Sequence, residues 1–134
     1  MIAKLTVGVL CVALSQLAFA LDDSDVGTYA TIQKDGSLSS NPLVLERTEA
    51  GWILRQQSLK DPKECLKCVM HESAAADVER FFNGPAPEGM SAECAHNSVM
   101  AFCRVVDAAR PGRDYRLVSL LEAKPVNVQL SKSK

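Results

Sequence analysis

The chain has 134 residues, a formal net charge of −1, 47% hydrophobic residues and five cysteines. That length suits one domain. The near balance of 15 basic and 16 acidic residues, interspersed along the chain, lacks the basic face of a nucleic-acid binder, and Lys132 and Lys134 alone do not supply one.

Met1 to Ala20 reads as an export signal. Lys4 precedes an apolar run from Leu5 to Leu14, and Ala18-Phe19-Ala20 places small residues at the two cleavage-determining positions. Cleavage after Ala20 leaves about 114 residues and, with Lys4 gone, a net charge of −2. An uncleaved anchor is the alternative, but the run is short and Asp22, Asp23 and Asp25 follow at once. Cys11 lacks the small residues that precede a lipidated cysteine and leaves with the signal. No later apolar stretch approaches the roughly 20 residues of a bilayer span, so no membrane span is expected after cleavage. The short signal and compact domain point to the periplasm of a Gram-negative bacterium.

Residues 22–25 read as a frayed acidic lead-in. Val26 to Gln33 carries Thr28, Tyr29, Thr31 and Ile32 and suits a strand. Lys34-Asp35-Gly36 turns, and Ser37 to Pro42 extends the loop. Leu43 to Thr48 and Trp52 to Gln57 are strands joined by Glu49-Ala50-Gly51, with Leu43, Leu45, Trp52 and Leu54 on one face. Asp61-Pro62-Lys63-Glu64 resembles a helix start leading to about Met70. Ser73 to Asn83 reads as a second helix with Ala75, Val78, Phe81 and Phe82 as its stripe, stopped by Gly84, Pro85 and Pro87. Ala95, Val99, Phe102 and Val106 have helical spacing and predict a third helix from Ser91 to about Ala109. Tyr115 to Leu121 and Val126 to Ser131 return to strand. The expected fold is α+β: an antiparallel sheet of about five strands, with a disulfide-linked helical insert packed on one face.

Cys65, Cys68, Cys94 and Cys103 remain after processing, and an oxidising compartment favours disulfides. On a continuous helix, positions 94 and 103 lie on opposite faces about 13 Å apart, beyond the roughly 7 Å limit for a bridge. The expected pairing therefore crosses from Cys65 and Cys68 to Cys94 and Cys103. Two other chemistries compete. Cys65-Leu66-Lys67-Cys68 has dithiol spacing for redox work, though without a strand leading into it as in a βαβ unit. Cys65, Cys68 and His71, completed by Cys94 and His96, have zinc-like spacing, but positions 94 and 96 of a helix diverge. A haem attachment needs His at position 69, which is Val.

No strong catalytic or phosphate-binding motif and no family motif is recognised. His71-Glu72-Ser73 holds nucleophile and base types, but sequence neighbours rarely converge as a triad does. No catalytic residue, metal or cofactor is expected. By elimination, the sequence reads as a secreted binding protein: an inhibitor or immunity protein that occludes an envelope-acting toxin or hydrolase. Candidate contacts are Ser37, Ser39 and Asn41 in the loop Gly36 to Asn41, and Pro87 and Glu88 in the loop Gly84 to Met90, because binding residues favour loops on rigid scaffolds. Trp52 reads as a core anchor or a binding hot spot. The alternatives are a periplasmic redox protein using Cys65 and Cys68, and a small-ligand or lipid carrier with an apolar cavity between sheet and helices.

Overall fold

The computed structural model describes residues 20–59, 65 and 68–133; the expected signal and most of the expected helix 61–70 lie outside them. Eight strands follow one another: β1 (Gly27–Thr31), β2 (Leu43–Thr48), β3 (Gly51–Gln56), β4 (Val69–Glu72), β5 (Met90–His96), β6 (Met100–Asp107), β7 (Asp114–Ser119) and β8 (Val126–Lys132). Each pairs antiparallel with the next, and β8 pairs with β1, closing a barrel. Closure leaves no exposed sheet edge.

Alternation along each strand builds the interior. Tyr29, Leu45, Trp52, Leu54, Met70, Ala95, Phe102, Tyr115 and Leu130 form one buried cluster. The Tyr29 ring meets Phe102 and Tyr115 edge-on at centroid distances of 5.0 and 4.9 Å. An eight-stranded barrel is just wide enough for side chains to fill, as they do here. Gly51 opens β3 at φ 134°, and a Cβ there would lie 2.6 Å from the Met70 carbonyl oxygen. That close approach of β3 to β4 needs glycine.

This overturns the α+β expectation of about five strands. The third predicted helix is a hairpin, β5–β6. The spacing of Ala95, Phe102 and Val106 fits a helix stripe, but Asn97 turns the chain: its side-chain oxygen accepts from Val99 N (2.9 Å) and Met100 N (3.0 Å). Such side-chain bonding to nearby backbone competes with a helix.

The disulfide expectation falls with that helix. Cys94 and Cys103 are directly opposed in the β5–β6 register, with Cα atoms 4.2 Å apart, and are bonded. Cys65 and Cys68 bond to each other, in the connection between β3 and β4. The bonds are thus local rather than crossed.

The second predicted helix exists in shorter form. Helix α1 (Ala75–Phe81) lies in the β4–β5 connection and is the one α-helix among the described residues. It packs outside the barrel. Phe81, fully buried, joins Cys94, Ala101, Cys103 and Val118, with Val78 and Phe82 beside them. Asn83 (φ 59°) and Gly84 (φ 146°) end it, and Gly84 N donates back to Glu79 O at 2.8 Å, the left-handed stop that glycine permits.

Candidate functional site

The β1–β2 connection is a pinned loop, not a loose one. Gln33 N donates to Ser37 O (2.8 Å) and Ser39 N to Thr31 O (2.9 Å), while Ile32 and Leu38 form an isolated bridge. Ser37 donates through its N–H (2.9 Å) and hydroxyl (2.6 Å) to the Asp35 carboxylate. These bonds hold that carboxyl below its ordinary range. Asn41 N donates to Ser39 Oγ at 3.3 Å. Ser37, Ser39 and Asn41 therefore sit together on a projecting loop that also presents Leu38, 55% exposed. Leu121 (75%) and Val126 (46%) are exposed at the same end of the barrel, in and beside the β7–β8 connection.

Pro87 and Glu88 lie at the opposite end, in the exposed loop after α1. That loop is anchored by Met90 N to Pro87 O (3.0 Å) and Ala108 N to Gly89 O (2.8 Å). Trp52 joins neither loop. It is 2% exposed inside the barrel, with the Arg47 guanidinium 5.1 Å from its ring centre.

Pro87 forms one lip of a groove of about 870 Å³ on the outer wall. Val78 of α1 and Phe82 just after it face it from one side, and Ala92, Val105, Arg116 and Asn127 line it from β5, β6, β7 and β8. The groove exists because α1 covers only the rows of outward residues around Cys94–Cys103 and Ala101–Val118, leaving the next row, Ala92–Val105–Asp114, open.

One contact brings chemistry-bearing groups together that the sequence did not pair. Ser73 Oγ lies 2.6 Å from His96 Nδ1, and the imidazole stands edge-on to Phe81 at 5.1 Å. Nucleophilic catalysis also needs a group orienting the base and donors for the oxyanion. Among the described residues, no carboxylate bonds His96. The pair ties the start of the α1 connection to β5, reinforced by Ser73 N donating to Cys94 O at 2.9 Å. His71 sits opposite His96 in the β4–β5 register. The zinc alternative loses its thiolates to the two disulfides, and among the described residues no group of three or more candidate ligands is assembled.

A buried polar cluster was invisible in the sequence. Asp25, in the 3-10 turn Asp23–Asp25, is fully buried rather than frayed. Its carboxylate accepts from Arg104 (2.6 Å), Arg113 (2.8 Å), the Tyr115 hydroxyl (2.9 Å) and Asp22 N (2.9 Å). The Tyr29 hydroxyl donates to the Asp25 carbonyl. Burial pushes both phenols up, so they stay protonated donors at neutral pH. Glu93 faces Arg104 across the β5–β6 register. Burial raises its carboxyl despite the pull of Arg104, and Glu72 adds to the rise. This cluster plugs the end of the barrel at which β1 begins, and Leu21 joins the core beneath it.

Comparisons with protein-family models, with curated proteins and with solved structures found no match to this chain.

Proposed function

We propose that this domain is a stoichiometric protein-binding inhibitor or immunity protein that blocks an envelope-acting toxin or hydrolase by occlusion. The carrying observation is the pinned β1–β2 loop, which holds Leu38 out from a closed, cross-linked barrel between Ser37 and Ser39. A loop already ordered in its free state loses little entropy on entering a cleft. Leu38 is the anchor, and Ser37, Ser39 and Asn41 supply rim hydrogen bonds. The export-like segment Met1 to Ala20 and the disulfides support a periplasmic or other oxidising location.

The test is capture of partners from envelope extracts, followed by calorimetric titration of the purified partner. A one-to-one complex weakened at least ~10-fold by Leu38→Asp supports the reading. Retention of full affinity in that variant removes the loop from the interface. Catalytic turnover abolished by Ser73→Ala or His96→Ala would replace the binding reading with an enzymatic one.

A further inference from the structure

The outer groove asks for an occupant of a different kind from a protein cleft. The larger part of its wall is apolar: Val78 from α1 and Phe82 just after it, Pro87 from the lip, Ala92 and Val105 from the barrel. Its volume, about 870 Å³, falls in the range of small-molecule sites.

Two polar features decide the chemistry. The first is Asp114, whose carboxylate accepts from Arg116 Nε (3.2 Å) and Nη2 (2.9 Å) and from Gln129 Nε2 (3.3 Å). Asp114 is thus neutralised within the wall, while the carboxylates of Glu79 and Glu93, which also line the groove, set its charge against an anion. The second is Asn127. Its Nδ2 donates to the Phe81 carbonyl at 3.1 Å, which sets the orientation of the amide. Its Oδ1 is left buried with no protein partner. A buried acceptor without a donor is costly, so a ligand that supplies one gains there.

The geometry points to a binding site for a small amphiphile without negative charge: an apolar body along the Val78–Phe82 and Ala92–Val105 walls, and one N–H or O–H donor reaching Asn127 Oδ1. An anionic ligand would meet Glu79 and Glu93, which line the groove beside the paired Asp114. The site lies on the outer wall, apart from the β1–β2 loop, so its fate and that of the inhibitor reading are decided separately.

The probe is N-phenyl-1-naphthylamine, which has an apolar aryl body, one N–H and fluorescence that rises in apolar surroundings. Titration should saturate at one probe per chain. N-methyl-N-phenyl-1-naphthylamine has the same body without the donor and should bind the unaltered protein about 10-fold more weakly. Asn127→Leu should erase that difference, and Ala92→Arg should abolish binding by filling the groove. Leu121→Ser, on the exposed rim at the far end, should change nothing. Absence of saturable binding, equal affinity for the two probes in the unaltered protein, or loss of binding in Leu121→Ser rather than Ala92→Arg would each overturn the assignment.

Discussion

The two ends of the barrel are finished by opposite chemistry. Where β1 begins, the turn Asp23–Asp25 folds into the opening, and a buried carboxylate collects Arg104, Arg113, Tyr115 and a backbone N–H. Where β1 ends, Leu38, Leu121 and Val126 stand in solvent. Burying a charge is costly unless it is paired and hydrogen-bonded, so the first end is held by several mutually dependent groups. The second end carries apolar groups that contribute little to the fold and remain available to a partner. One end stabilises the scaffold, and the other presents a surface.

The largest effect comes from breaking the plugged end. Asp25→Ala leaves Arg104, 4% exposed, without its main counter-charge and should destabilise by about 3–5 kcal/mol in urea unfolding. Adding Arg104→Met should recover part of that loss, because the most deeply buried cation is then removed along with its counter-charge. A strictly additive double variant would show that the cluster does not act as a unit.

Next comes the disulfide on the outer wall. Replacing Cys94 and Cys103 together by Ser should cost about 2–3 kcal/mol, as expected for a short closed loop. The loop closed by Cys65–Cys68 is shorter still, so its removal should cost less. Non-reducing peptide mapping should recover the two local bonds. Crossed bonds between 65/68 and 94/103 would contradict the β5–β6 register.

A smaller effect is pH-dependent. The folded Glu93 carboxyl keeps its proton to higher pH than the unfolded one, because burial disfavours its charge. Within that window the folded state holds more protons, so stability falls as pH rises through it. Glu93→Gln should flatten this decline in unfolding free energy measured against pH. Asp22 acts in the opposite sense at lower pH: bonds from the Ser24 hydroxyl and N–H lower its carboxyl. Its contribution is present above the ordinary carboxyl value and fades as pH falls through the folded one.

The smallest effect on stability is expected at the open end. Leu38→Asp and Leu121→Ser should each change unfolding free energy by less than about 0.5 kcal/mol, while Leu38→Asp weakens partner binding. A large loss of stability in either would mean that this end, too, is structural.

What the sequence by itself determined was local. β2 matches the predicted strand 43–48, and β1, β3, β7 and β8 lie within a residue or two of the predictions, because period-two alternation and the turns at Lys34-Asp35-Gly36 and Glu49-Ala50-Gly51 are legible over a few residues. Helix α1 was legible through its stripe and its Asn83-Gly84 stop. The stretch 91–109 was not, since Ala95, Val99, Phe102 and Val106 suit either period over that length. Asn97 was the available turn signal, and pairing of β6 with β7 decided the outcome. Once that hairpin forms, Cys94 and Cys103 face each other. The candidate contacts Ser37, Ser39, Asn41, Pro87 and Glu88 were identified only as loop residues; the first loop is pinned by local bonds between Thr31 and Asn41, and that Pro87 borders a groove depends on the packing of α1 on the barrel wall. Asp25 was the least legible of all. In a run of acids it looks solvated, and its partners Arg104 and Arg113 are 79 and 88 residues away. Only a closed barrel brings those charges together and excludes water from between them.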